Sequence, residues 1–333
     1  MAAQETFASL GKMEALKRLF EGSGYNAFEE TLRFTPASKS SVVSASGCFL
    51  EGVDFNLVYF PLKHLGYKCV LALTAELYSV MAHPRTLSLR LGVSAKLDFE
   101  HIQQIWEGVL TASKEFGYTS LSLDLQPSRN GLCISVNVTG EASELTCGRR
   151  PKAKSKDLIC VSGALGAAYL GFQLLEREKV RFDAGAKSSD ALEHNKMLVG
   201  SYLRPELSNG VVSTLEEAGI YPSFGYVVSR GLSDALLRLS RDSGLGAKVY
   251  ADKLPFEGNT FALAEELDVD PVSAAMNGGD DFRLLYTIPI LQMEKFRKNF
   301  PTFDIIGHLA LPEAGTVLVT PDGVELPVKA QGW

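Results

Sequence analysis

The chain has 333 residues, 46% hydrophobic and 22% charged, enough to bury a large core and to form two domains. Its 33 Lys and Arg against 39 Asp and Glu give a net charge of −6, and the one short basic cluster, Arg149-Arg150-Pro151-Lys152, is too small for a duplex-binding stripe. No nucleic-acid partner is expected. No uncharged run reaches the ~18 residues of a spanning helix, and Met1 to Leu10 lack a basic start followed by an apolar core, so the expectation is a cytoplasmic protein with no membrane partner.

In chain order, Lys12 to Glu21 reads as a short amphipathic helix. Ser41-Val42-Val43 opens a strand, and Glu51 to Tyr59, with partly alternating apolar positions, reads as a further extended segment. Pro61 to Ala82 reads as helix. Thr86 to Val93 sets Leu87, Leu89 and Leu91 against polar neighbours, the period of a half-buried strand. Asp98 caps a helix whose apolar residues Ile102, Ile105, Trp106, Val109 and Leu110 share one face up to a Gly117 stop. Tyr118 to Leu125 and Leu132 to Thr139 follow as strands. A polar stretch then runs to Lys156, and the domain boundary is placed within it: an extension over 1–23, one α/β domain over 24–143 and a second over 144–333. The second domain begins with strand Asp157 to Ser162, a Gly-rich turn and a helix from Ala167 to Glu178. A second strand-turn-helix spans Gly225 to Arg241, followed by strands at Ala247 to Tyr250, Phe282 to Ile288 and Gly315 to Thr320, with a helix around Leu291 to Asn299. Each half is mixed α and β.

Three Gly-rich turns are candidates for phosphate binding: Ser162-Gly163-Ala164-Leu165-Gly166, Ser229-Arg230-Gly231-Leu232 and Asn277-Gly278-Gly279-Asp280-Asp281. Glycine lets backbone approach closely, and a turn feeding a helix start aims free N–H groups at an anion. None is a Walker loop or a dinucleotide fingerprint. The five histidines show no zinc-ligand spacing, and G-x-S-x-G is missing, so a zinc enzyme and a serine hydrolase lack support. Two carboxylates after paired glycines, Asp280 and Asp281, suit a hard cation that bridges to substrate phosphates. The five cysteines are odd in number and lack C-x-x-C spacing; those in apolar runs read as buried thiols.

Glu51-Gly52-Val53-Asp54-Phe55 followed by Leu65-Gly66-Tyr67-Lys68 is similar to E-G-V-H-F and L-G-Y-K-A of thiamine-monophosphate kinases. The resemblance continues in order through Met81 to Arg85, Asp157 to Gly163, Leu203-Arg204-Pro205-Glu206, the Gly278 turn and the closing Gly332-Trp333. It implies the α/β (α+β) two-domain architecture of the aminoimidazole-ribonucleotide synthetase-like superfamily, with N-terminal sheets of two subunits forming a barrel across a homodimer. It further implies Mg²⁺ and ATP, and transfer of the γ-phosphoryl group to thiamine monophosphate to give thiamine diphosphate. Such transfer depends on positioning and charge neutralisation.

The departures fall on the family's metal-binding motifs. The early G-D-D corresponds to Phe28-Glu29-Glu30, S-T-D to Ser44-Ala45-Ser46, N-L-S-D to Leu73-Thr74-Ala75-Glu76 and G-G-D-T-T to Ser122-Leu123-Asp124-Leu125-Gln126. S-D-G-L becomes Ser229-Arg230-Gly231-Leu232, and G-G-E-D-Y-E becomes Gly278-Gly279-Asp280-Asp281-Phe282-Arg283. The resemblance therefore implies metal ligands at Glu29, Glu30, Glu76, Asp124 and Asp281, catalytic positions at Asp124 and Arg230, and nucleotide contacts at Gly163, Gly166, Ser229, Gly231, Gly278 and Gly279. It implies substrate contacts at Asp54, Phe282 and Trp333. Arginine in place of aspartate reverses the local charge and repels a divalent ion. Arg230 then either contacts phosphate oxygens itself, or swings to solvent or pairs with Asp234. The expected function is a thiamine-monophosphate kinase-like activity weakened by these losses; the alternative is a catalytically inactive paralogue that binds a nucleotide or another phosphorylated small molecule.

Overall fold

The computed structural model describes residues 7–29, 31–185 and 190–330. Glu30 and Trp333 lie outside them. The chain divides into two compact units, one ending at Leu77 and resuming over Ala82–Glu144, the other comprising Tyr78–Met81 and everything from Leu145 onward.

The first unit contains α1 (Phe7–Leu10), α2 (Lys12–Phe20), β1 (Ser41–Leu50), α3 (Leu62–Ser79), β2 (His83–Ser94), α4 (Phe99–Phe116), β3 (Ser120–Ser128) and β4 (Cys133–Ala142). Its sheet has the order β1-β4-β2-β3; β4 is antiparallel to both neighbours, and β2 and β3 run parallel, joined by the α4 crossover. The α4 boundaries follow from its ends: Asp98 accepts from the His101 amide and completes a capping box, and Gly117 closes the helix at φ 78°. Leu87, Leu89 and Leu91 of β2, Leu121, Leu123 and Leu125 of β3 and Ile134, Val136 and Val138 of β4 are all buried on one face. Gly47 of β1 lies on that face too, since a Cβ there would sit 3.2 Å from Leu73 of α3. Helices α3 and α4 cross at two glycines. A Cβ on Gly66 would fall 2.0 Å from the Ile105 carbonyl oxygen, and one on Gly108 would fall 1.9 Å from that of Lys63.

The segment expected to be extended over Glu51 to Tyr59 is instead a run of turns with one bridge between Glu51 and Phe55. Local polar side chains take up its backbone donors: the Asp54 carboxylate accepts from Leu50 N at 2.7 Å and Asn56 Oδ1 from Val58 N at 3.1 Å. Such bonds offer the backbone an alternative to a ladder.

The second unit contains α5 (Glu144–Arg149, starting at the boundary), β5 (Leu158–Val161), α6 (Ala167–Asp183), α7 (Ala191–His194), α8 (Lys196–Leu203), α9 (Val211–Glu217), β6 (Gly225–Val228), α10 (Leu232–Ser243), β7 (Gly246–Tyr250), α11 (Thr260–Glu266), α12 (Pro271–Asn277), β8 (Arg283–Ile288), α13 (Met293–Asn299), β9 (Asp304–Ala310), β10 (Thr316–Val319) and β11 (Glu325–Pro327). Its mixed sheet has the order β11-β10-β7-β9-β5-β8-β6. Because β5 and β6 both run antiparallel to the β8 strand between them, their C-terminal ends and the start of β8 share one end of the sheet. The core on one face joins Ile159, Val161, Val228, Leu285, Ile306 and Leu309 to Leu232, Leu236 and Leu239 of α10 and to Met276 of α12.

Candidate functional site

In the first unit, the face of the sheet opposite Gly47 and its buried row carries aligned polar side chains. Strand alternation and register put Cys48, Ser135, Arg90 and Asp124 in one row across the four strands, and Ser46, Asn137, Ser88 and Ser122 in the next. Ser122 donates to Ser88 at 2.8 Å. Asp124 is engaged from the side: the Lys12 ammonium of α2 pairs with its Oδ1, and Gln126 donates to Oδ2 at 3.2 Å. The Lys12 bond, ahead of the other influences, holds the Asp124 carboxyl below the usual aspartate range. A cation of the chain itself therefore pairs with this carboxylate at an exposed site.

Glu76 sits on α3, whose Leu73 and Leu77 pack against the opposite face of the sheet, and Glu29 is a partly buried residue after α2. Glu30 is outside the described residues. Among the described residues, no three His, Cys, Asp or Glu side chains converge as a metal cage. Magnesium is held by one or two carboxylates together with substrate phosphates, and of the expected ligands Asp124 is engaged by Lys12 and Asp281 by two helix amides. Asp54, an expected substrate contact, is exposed and its carboxylate closes the turn at Leu50; Trp333, another expected substrate contact, lies outside the described residues.

In the second unit the three Gly-rich turns do come together, at the sheet end where β5 and β6 finish and β8 begins. Asp280 N donates to Ser229 O and Phe282 N to Val228 O, each at 2.9 Å, tying the Gly278 turn to the Ser229 turn. Gly231 and Gly279 permit this approach: Cβ atoms there would lie 2.5 Å from Met276 O and 2.9 Å from Ser229 O, with φ of +84° and +90°. Gly163 and Gly166 form the third turn. There the Asp281 carboxylate accepts from Gly166 N at 2.8 Å and Ala168 N at 3.2 Å, capping α6. Asp281 is 4% exposed, and burial pushes its carboxyl up to about 7 against the opposing pull of the two amides and Arg283. The expected metal ligand thus has both oxygens on helix amides, which its neighbourhood of glycines did not signal. Phe282, an expected substrate contact, is a buried residue at φ 48°, 5% exposed.

Arg230 stands exposed at the edge of this cluster, immediately before Gly231 and the start of α10, which no side chain caps. It does not pair with Asp234, which instead bonds Arg238 at 3.0 Å along the helix. Arg283 braces the first turn, donating to the carbonyl oxygens of Ala164 at 3.3 Å and Glu206 at 3.2 Å. Sequence reasoning missed three cations. Arg283 carried a signal as the departure from the acid ending G-G-E-D-Y-E, and Arg90 as a polar position within an alternating strand. Lys12 carried none, its partner being 112 residues away. The cluster offers cations and backbone N–H groups to an anion.

No family model matches the chain. Curated thiamine-monophosphate kinases do, among them that of Pyrococcus horikoshii, 28% identical over 324 residues that cover 96% of this chain and 94% of the relative. A putative hydrogenase expression/formation protein of Methanocaldococcus jannaschii is 25% identical over 293 residues, covering 84% of this chain and 81% of its own. The solved structure of AaThiL complexed with AMPPCP and TMP shares the fold at TM-score 0.73 and 20% identity, covering 98% of this chain and 97% of that one.

Proposed function

We propose that the chain, which resembles curated thiamine-monophosphate kinases along most of its length, binds ATP together with thiamine monophosphate or another phosphorylated small molecule, and that it transfers the phosphoryl group only weakly. The observation that carries this reading is the fate of the carboxylates. Asp124 is paired with Lys12 and Asp281 is spent on capping α6, while the glycine turns that would cradle phosphate remain assembled. Phosphoryl transfer has little covalent work for a protein to do, so the loss of a charge-neutralising metal falls directly on the rate. Binding is less affected, because arginine and helix N-termini hold phosphate oxygens without a metal.

Within this reading Gly163, Gly166, Ser229, Gly231, Gly278 and Gly279 line the phosphate-binding turns and Arg230 supplies the cation. No step is assigned to magnesium. The same observations support a second reading, the catalytically inactive paralogue, because Lys12 and Arg230 both place fixed positive charge where a divalent ion would be repelled. Pairing of two copies through the first sheet is part of the proposal. It is supported by β1, a ten-residue edge strand whose Val42 is 54% and Leu50 43% exposed.

The test is thermal unfolding with ATP and thiamine monophosphate, with magnesium and with a chelator. The proposal expects the midpoint to rise with ligand in both conditions. A rise seen only with magnesium contradicts it.

A further inference from the structure

The five cysteines are not equivalent. Cys69 and Cys160 are buried, at 1% and 0% exposure, and Cys147 is exposed. Cys48 and Cys133 differ from all three: they lie on adjacent antiparallel strands, β1 and β4, with their sulfurs 3.5 Å apart. Register places Cys48 opposite Ser135 and Leu50 opposite Cys133, so the two are diagonal neighbours, and alternation puts both on the polar, open face. Cys48 is exposed and Cys133 partly so.

We propose that Cys48 and Cys133 form an oxidisable dithiol, a modification site that closes into an intrachain disulfide and staples the edge strand β1 to β4. A disulfide spans about 2.05 Å, so the sulfurs have to approach by about 1.5 Å, a movement within reach of side-chain rotation and sheet twist. The structure leaves room for it. Gly92 of β2, opposite Cys133, presents no side chain, and a Cβ there would lie only 3.4 Å from Cys133 Cβ.

The co-reactant class is a low-molecular-weight disulfide. One protein thiolate attacks it, forming a mixed disulfide and releasing one small thiol; the second protein thiolate then attacks the protein sulfur, forming the Cys48–Cys133 bond and releasing the other small thiol. One small disulfide is reduced to two thiols as two cysteines are oxidised. Burial, followed by the neighbouring Cys133 sulfur, pushes the Cys48 thiol up to about 11. Cys48 lies in the same strand row as Arg90 and Asp124, and Cys133 in the next row with Gly92 and Gln126.

The experiment treats the full chain with oxidised glutathione, blocks remaining thiols with an alkylating agent and maps peptides by mass spectrometry. The expected result is a reducible link between the Cys48 and Cys133 peptides in the monomeric chain, with the amides of β1 exchanging more slowly than in the reduced protein. Cys48→Ser is expected to hold a stable glutathione adduct on Cys133 instead, which keeps the test valid even if the link is hard to isolate. Free, fully alkylatable Cys48 and Cys133 after oxidation overturn the proposal. So do links that join other cysteines or two chains.

Discussion

Asp281 is the residue on which local stability and the site meet. Its carboxylate caps the start of α6 from within the Gly278 turn, so Asp281→Ala leaves two buried amides unsatisfied and is expected to cost about 1–3 kcal/mol in denaturant unfolding. Burial raises the folded carboxyl to about 7, above the ~3.9 of an unfolded aspartate. The folded chain therefore keeps a proton that the unfolded chain gives up. The resulting stabilisation is full below about pH 4 and is lost as pH rises through 7. Asp281→Asn is expected to remove that pH dependence, which melting curves across pH 4–8 check; an unchanged slope in the variant would put the titration elsewhere. Lys12 shows the converse case, an exposed pair that matters for charge more than for stability. Lys12→Met is expected to raise the Asp124 carboxyl, read by NMR titration, while changing unfolding free energy by no more than about 1 kcal/mol.

Among the elements, the α3–α4 crossing sets the position of the first sheet through Gly66 and Gly108, each in backbone contact with the other helix. Neither helix can shift without unpacking the leucines beneath it, so Gly66→Ala or Gly108→Ala is expected to destabilise by more than about 3 kcal/mol, measured by urea unfolding. The helix α4 itself was readable, because Asp98 and Gly117 mark both ends and a clean apolar stripe runs between them. The strand β9 was not. Gly307 and His308 interrupt its alternation, and Gly307 is there because Lys248 O would lie 2.1 Å from any Cβ. The short helices α8, α9, α11 and α12 were also missed, since seven or eight residues give too few turns for a 3.6-residue period to show. At the site, glycines announced the turns, whereas the partners of Asp124 and Asp281 come from distant segments that no local pattern reveals.

For the whole molecule, the fold is shared with a solved kinase structure while, among the described residues, the carboxylates expected to bind a cation do not cluster. Three features stand against a bound cation: lysine on Asp124, amides on Asp281 and arginine at 230. A scaffold of this kind hosts more than one activity, so fold likeness alone does not decide turnover. The direct measurement is magnesium-dependent conversion of thiamine monophosphate and ATP to thiamine diphosphate by the native chain, beside the double variant Ser46→Asp, Arg230→Asp. The account predicts native turnover near background and a rise of about 100-fold in the double variant, the scale of one restored electrostatic contact to the transferring group. Robust magnesium-dependent product from the native chain, unchanged or lowered in the variant, would contradict it.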